Sequence, residues 1–271
     1  MTDQPNGGRA LVNYDEEYAK QAARYAEQEQ LAGGTFLSIK GGTLTLGEET
    51  LPGNQACVII LDAVLENTFY GSRYVEGNVN PPVCYAFARG DEPLAPHHSM
   101  QTDLNYFQPQ SNDCASCQWN QYGSADVGKG KACQNRRRLA ILPAGFYTPR
   151  RGSRDFDLEY FNDPKHYAKA DVFFIKLPVL SVKNFSKYTQ LLAAPPIRRP
   201  PFGVITRMFV EPDQKAQYMV HFEMLEAVPP ELFDAIQARQ IEAARSVVKG
   251  YLPPDPNAQK APQGSLRGLR R

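Results

Sequence analysis

The sequence contains five cysteines, whose thiolates could bind a metal ion. Cys114 and Cys117 form a C-x-x-C pair, Cys133 follows 16 residues later, and Cys84 precedes the pair by 30 residues. Four thiolates suit a structural zinc site, in which no open position remains for a substrate water. The pattern therefore predicts one structural Zn²⁺ ion, which staples the intervening chain and is held by Cys84, Cys114, Cys117 and Cys133.

Two alternatives to this site stay open. His97 or His98 could replace Cys84, since Cys3His zinc sites are also common. The C-x-x-C pair could instead be redox-active, although it lacks the preceding strand and following helix of that motif. The fifth cysteine, Cys57, lies in the apolar run 56–61 and is predicted to be buried in the core.

A basic and aromatic stretch surrounds these cysteines. The segment 127–154 carries eight Lys and Arg residues and no Asp or Glu, whereas the whole chain has a net charge of +1. Such a stretch suits single-stranded nucleic acid, because rings stack on unpaired bases and cations neutralise phosphates. The predicted DNA-binding residues here are Trp119, Tyr122, Lys129, Lys131, Arg136, Arg137 and Arg138.

Further candidates for DNA contact lie where strands are predicted to end. The stretch 68–74 mixes aromatic and basic side chains and follows a predicted long strand. Arg207 and Phe209 are two positions apart in another predicted strand, so their side chains would share one face of it. These candidates are Tyr70, Arg73, Tyr74, Arg207 and Phe209. The structural alternatives are that Trp119 only packs over the zinc site and that Arg136–Arg138 form a solvated strand edge.

Known catalytic motifs are absent from the sequence. It contains no G-x-S-x-G, no H-E-x-x-H and no G-x-G-x-x-G. Asp155, Asp157 and Glu159 alternate and would suit the Mg²⁺ of a nuclease, but one acidic run is a weak signal. We therefore expect a protein that is not an enzyme, and we keep a metal-dependent nuclease as the third hypothesis.

The elements that must position these residues are mostly short strands. Gly/Pro turns and β-rich runs predict strands at 35–40, 43–46, 56–67, 82–89, 138–142, 172–182, 203–210 and 217–225. Helices are predicted at 14–31, at 183–193 and from Pro229 to about residue 249. The segment 90–131 has little periodicity, so a loop of that length needs a constraint such as a metal.

This pattern predicts a mainly β fold with flanking helices, an OB-like small β-barrel with a zinc-binding insertion at about 84–133. The domain organisation is a 1–34 arm and helix, a 35–226 OB-like domain, and a 227–271 helix with a basic tail. We find no signal peptide and no apolar run long enough to span a membrane. A soluble, cytoplasmic protein without membrane contact is expected.

Two groups of motifs carry a family resemblance. The first is Cys114-x-x-Cys117-x-x-Asn120-x-x-Gly123-Ser124, followed by Gly128-Lys-Gly-Lys-x-Cys133 and residues 136–139. The second is Leu177-Pro-Val-Leu-Ser181-Val-Lys-Asn-Phe185-x-x-Tyr188, with Val204-Ile-Thr206. Over about residues 80–210, the chain resembles zinc-containing single-stranded DNA-binding proteins of bacteriophage replication.

The resemblance implies an OB-type barrel with a zinc insertion. Such a protein coats single-stranded DNA without sequence specificity during replication or recombination in a bacterial host cell. It also implies self-association along the DNA and contacts with replication or recombination proteins. The family's tail is usually acidic, whereas this one carries Lys260, Arg267, Arg270 and Arg271 against Asp255. A virion or assembly protein with a structural zinc site is the alternative function.

Overall fold

The computed structural model describes residues 36–46, 49–71 and 80–253. Within them the protein is mainly β, with a curled, half-barrel sheet of seven strands, a small three-stranded sheet and a few helices. This confirms the predicted fold class at that level. The predicted helix at 14–31, the basic tail, Arg73 and Tyr74 lie outside the described residues.

The small sheet confirms the predicted hairpin. Strands β1 (Leu37–Lys40) and β2 (Thr43–Leu46) pair antiparallel, and β3 (Glu49–Thr50) adds to β2. The turn residues Gly41 and Gly42 have φ values of 58° and 82°, a left-handed region that glycine adopts without a Cβ clash. The hairpin is therefore fixed by two glycines and packs its buried leucines into the main core.

Two long strands form the centre of the large sheet. Strand β4 (Gln55–Phe69) pairs antiparallel with β6 (Gln134–Pro149) along most of its length. The second half of β4 also pairs with β5 (Cys84–Ala88). The first half of β6 pairs with β8 (Phe173–Leu177), and its last residues pair with β7 (Phe156–Tyr160). Shorter strands therefore pair with different parts of these two long strands.

The opposite end of β4 carries the last two strands. The first residues of β4 pair with β9 (Val204–Asp213), which pairs in turn with β10 (Gln217–Ala227). Because β5 and β9 lie on the same edge of β4 but at different ends, they occupy separate parts of the sheet. The elements that carry the cysteines are therefore separated from β9 and β10 along β4.

Helices cover the two faces of the large sheet. Helix α2 (Val182–Ala193) packs on one face, which we call the α2 face, and buries Phe185, Tyr188 and Leu192 there. Helices α1 (Pro164–Lys169) and α3 (Phe233–Ser246) pack on the other, the α3 face. The positions of α2 and α3 confirm the two helices predicted in the described region.

Strand alternation assigns side chains to these faces. In β6, Leu139 and Ile141 enter the core under α2, whereas Ala140 and Leu142 enter the core under α3. In β4, register shifts near Asp62 change which residues face α2, so that odd-numbered residues beyond it lie on the α2 face. These assignments decide which polar residues can act together.

The strand prediction at 138–142 was too short. The strand β6 runs on through Pro143 and Gly145, where a register shift interrupts its ladder with β4. Proline and glycine are tolerated at such an irregularity, but in a sequence they read as a strand end. The strand β7, which carries Asp157 and Glu159, was not predicted.

Candidate metal centre and nucleic-acid interface

The four predicted zinc ligands come from three parts of the fold. Cys84 begins β5 opposite Phe69, and Cys133 immediately precedes β6. Cys114 and Cys117 lie in the long connection between these strands, which contains only short 3-10 helices, as the lack of periodicity predicted. Adjacent ends of two strands thus supply two thiols, and the connection folds back to supply the others.

Backbone contacts hold the connection in place. The Cys114 N–H donates to the Leu94 carbonyl at 2.8 Å, and the Cys133 N–H donates to the Trp119 carbonyl at 2.8 Å. Asn120 Nδ2 donates to the Cys114 carbonyl at 2.6 Å. We call residues 111–133 the cysteine loop. Its conformation rests on polar contacts rather than on a core of its own.

All four cysteines line one small cavity. Its volume is about 20 Å³, and Asn67, Phe69 and Trp119 contribute to its wall. A cavity needs roughly 10–15 Å³ to hold one water, so the space suits a single small occupant. The four thiols are therefore brought together by the fold, although they are spread over 50 residues of sequence.

Burial shapes the chemistry of these thiols. Burial, followed by the neighbouring thiols, raises the pKa of Cys133 to about 12 and that of Cys114 to about 11. Burial also raises the pKa of Cys84. These thiols are protonated near neutral pH unless a cation compensates their charge, as a metal does. The donor set fits Zn²⁺, but among the described residues no three metal-ligating side chains form a ready-made coordination group.

The two histidines proposed as replacements for Cys84 lie elsewhere. Neither His97 nor His98 lines the cavity. The ring of His97 stacks 5.7 Å from that of Tyr85, and its Nδ1 is 2.7 Å from Ser99 Oγ. Burial lowers the pKa of His97 to about 4. The arrangement favours Cys84 over either histidine as the fourth ligand.

Trp119 has a structural role in the cavity wall. Its ring stacks on Phe69 with 5.0 Å between centroids and 17° between planes. Its Nε1 donates to Gln110 Oε1 at 2.9 Å. One ring face is therefore already occupied, which agrees with the alternative that this tryptophan packs over the site.

Tyr122 and Lys131 form an accessible pair on the cysteine loop. Tyr122 is 83% exposed, and Lys131 Nζ lies 5.1 Å from its ring centroid. Lys131 Nζ also donates to Asn120 Oδ1 at 3.2 Å. Lys129 is exposed in the adjacent turn, which Gly128 permits with a φ of 80°. A base can stack on Tyr122 with cations beside it.

The three consecutive arginines have different environments. Arg137 projects to the α2 face, together with Asn135, while Arg136 and Arg138 project to the α3 face. Asn135 Nδ2 donates to Asn67 Oδ1 at 2.6 Å, which ties this part of β6 to the cavity wall. Arg137 is half-buried, and burial lowers its pKa. No hydrogen bond or ion pair joins it to another described side chain.

Arg138 is buried and already paired, which removes it from the predicted DNA contacts. Its guanidinium forms an ion pair with Glu66, whose side chain is fully buried, and donates to the Lys249 carbonyl at 2.9 Å. It also lies 4.3 Å from the ring centroid of Phe87. A phosphate cannot reach this side chain without dismantling the α3 face. Arg138 therefore has a structural role.

Tyr70 is half-buried beside this cluster, at the end of β4. Burial raises its pKa, and the positive charge of Arg136 opposes this effect. Both residues lie on the α3 face, opposite to Arg137. The structure therefore places Tyr70 and Arg136 together, but separates them from the exposed face of the cysteine loop by the sheet.

Arg207 and Phe209 share one strand face, as predicted, but at the far end of β4. The Arg207 guanidinium lies 4.5 Å from the Phe209 ring centroid and donates to Gln55 Oε1 at 2.7 Å and Glu223 Oε2 at 3.2 Å. Both residues oppose β10 residues on the α3 face. The predicted contacts are thus split between two distant regions.

Asp157 and Glu159 of the acidic run lie on strand β7, and Asp155 immediately precedes it. Arg150 forms an ion pair with Asp157, and Asp155 accepts a hydrogen bond from Ser153 Oγ at 2.8 Å. The Asp157 charge is therefore already compensated by a cation. This arrangement gives the nuclease hypothesis no support.

The predicted burial of Cys57 in the core is confirmed, and aromatic residues are buried as well. Cys57 is buried under α3, and Phe174 and Ile175 are buried on β8. Phe107 is fully buried, and Tyr106 Oη donates to the Pro81 carbonyl at 2.6 Å. The aromatic residues of this part of the connection therefore serve packing.

The comparisons with known proteins add no relative. No family model, no curated protein and no solved structure matches the chain. In the part of the chain that is described, no helix is both long and apolar enough to cross a membrane. Any function must therefore be argued from the residues and their arrangement.

Proposed function

We propose that this protein binds single-stranded DNA without sequence specificity and that its half-barrel is of the OB type. The proposal rests on the arrangement of side chains in and around the cysteine loop. Four cysteines line one small cavity, and the same loop carries exposed Tyr122 and Lys129 beside a half-buried Lys131. Aromatic stacking contributes about 1–3 kcal/mol per base and tolerates any base, while cations follow the phosphates.

A single Zn²⁺ held by Cys84, Cys114, Cys117 and Cys133 supplies folding free energy to the loop rather than a reaction centre. The protein's own contribution is to bring the four thiols to one cavity at the ends of β5 and β6. Tyr122 and Lys131 are then fixed relative to the sheet. Arg137, on the same side, offers a cation beyond the edge of the loop.

Binding to matched oligonucleotides tests this proposal. We expect single-stranded DNA to bind more tightly than duplex of the same length, with RNA measured in parallel. The logarithm of the affinity should fall linearly with the logarithm of salt concentration, by about 0.7 per neutralised phosphate. Undetectable binding, or an affinity that is constant between about 50 and 300 mM salt, contradicts the proposal.

The same samples separate the other hypotheses. An assembly protein predicts an ordered oligomer without DNA and no oligonucleotide binding, which light scattering and the same titration report. A nuclease predicts degradation of the oligonucleotide when Mg²⁺ is added, lost in Asp157→Ala. Intact DNA after prolonged incubation with Mg²⁺ counts against that third function.

A further inference from the structure

A second basic surface lies on and beyond α2. Residues 172–210 contain six Lys and Arg and no Asp or Glu. Lys183 and Lys187 are exposed on the helix, and Arg198 and Arg199 are exposed in the connection that follows. In the described part of the chain, none of these four side chains forms an ion pair. Their charge is available to a ligand.

The sheet keeps nearby acidic residues away from this surface. Helix α2 packs on β10 through the α2 face, where Asn184 Nδ2 donates to the Val220 carbonyl at 2.9 Å. The acidic residues of β9 and β10 project to the α3 face instead. There Glu223 pairs with Arg207, and Glu211 lies 3.7 Å from His221. Alternation along two strands thus keeps these acidic side chains away from the lysines of α2.

The basic surface is continuous with the cysteine loop through Arg137. Strand β8 ends at Leu177, which is the register partner of Arg137. The chain then passes through Val179 and Leu180, both about half exposed, into α2. Asn135, two residues before Arg137, is hydrogen-bonded to Asn67 of the cavity wall. The cysteine cavity, Arg137 and α2 therefore follow one another on one side of the sheet.

We propose that a single strand of DNA leaving the cysteine loop continues across Arg137 onto α2, where Lys183 and Lys187 bind its phosphates. The inference rests on the proposed function and adds the direction of the strand. The two lysines are one helical turn apart, about 6 Å along the axis. Their ammonium groups are compact charges on flexible stems, which neutralise phosphates without reading bases.

The test is the double variant Lys183→Gln/Lys187→Gln with a matched control. Helix α1 carries Lys165 and Lys169, an exposed pair with the same spacing, on the α3 face. We expect the α2 variant to bind a single-stranded oligonucleotide of about 16 nucleotides roughly tenfold more weakly at low salt. Its salt slope should be shallower by about 1.4, the value for two phosphates.

The control variant Lys165→Gln/Lys169→Gln should keep the wild-type affinity and slope, and Lys183→Arg/Lys187→Arg should retain most of the binding. Equal melting temperatures show that the exposed substitutions leave the fold intact. An α2 variant that matches the wild type, or a control that weakens binding equally, overturns the path over α2. Absence of binding by the wild-type protein instead overturns the proposed function itself.

Discussion

Two arginines on the α3 face of the large sheet differ from the basic side chains on the α2 face in how their charge is compensated. On the α3 face, Arg138 is paired with Glu66, and Arg207 is paired with Glu223. On the α2 face, Arg137 and the lysines of α2 have no acidic partner among the described residues. The comparison teaches that a basic residue contributes to a polyanion site only when the fold leaves its charge uncompensated.

This difference refines the proposed interface. The acid-free run 127–154 predicts one binding stripe, but the structure divides it. Lys129, Lys131 and Arg137 lie at the cysteine end of β6, whereas Arg150 is at the other end and paired with Asp157. The proposed interface is therefore smaller within that run than its composition indicates, and we propose that it extends onto α2 instead.

The largest expected effect comes from the proposed metal site, which would stabilise the loop. Cys117→Ser should lose the bound zinc and unfold residues 90–133, because structural zinc supplies about 10–16 kcal/mol to small metal-dependent folds. Metal analysis after dialysis and limited proteolysis check this. Cys57→Ala, which changes a core cysteine, should keep one zinc per chain. A Cys117→Ser protein that retains zinc would show that the ligand set is wrong.

On the α3 face, removal of a paired cation should cost stability. Arg138→Met leaves Glu66 buried without its partner, and loss of one member of a buried pair costs about 3–5 kcal/mol. Urea denaturation measures the free energy of unfolding. The double variant Glu66→Gln/Arg138→Met should recover much of the loss. If the single variant is as stable as the wild type, the pair is not a stabilising fold element.

On the α2 face, removal of an unpaired cation should cost affinity instead. Arg137→Gln should change the free energy of unfolding by less than about 1 kcal/mol, since no ion pair is broken. Its affinity for single-stranded DNA should fall, and the salt slope should become shallower by about 0.7. Unchanged binding together with lost stability would reverse the assignment of this residue.

The smallest effect is expected at the far end of β4. Arg207→Gln removes a half-exposed pair with Glu223, and exposed pairs contribute about 0–1 kcal/mol. Its affinity for single-stranded DNA should equal that of the wild type within error, because Glu223 already compensates the Arg207 charge. A loss as large as that of Arg137→Gln would extend the interface to the α3 face and remove the contrast between the faces.

Local patterns determined much of this protein. The Gly41-Gly42 turn, the buried strand around Cys57 and the helix that follows Pro229 are each fixed by short-range signals, namely backbone freedom, apolar runs and proline at a first turn. The spacing of the cysteines is also a local pattern, and it predicted four residues that line one cavity in the structure. The length of β6 was missed because Pro143 and Gly145 occupy a strand irregularity.

Only the tertiary structure decided which cations are available. Arg136, Arg137 and Arg138 are identical in type and adjacent in sequence, yet alternation places them on different faces. Arg138 then meets Glu66, which lies 72 residues earlier in the sequence. No local pattern encodes such a partner, because it depends on strand register and on the helix covering each face. The sequence thus indicates which types of side chain are present, whereas the tertiary structure determines which of these arginines have an acidic partner.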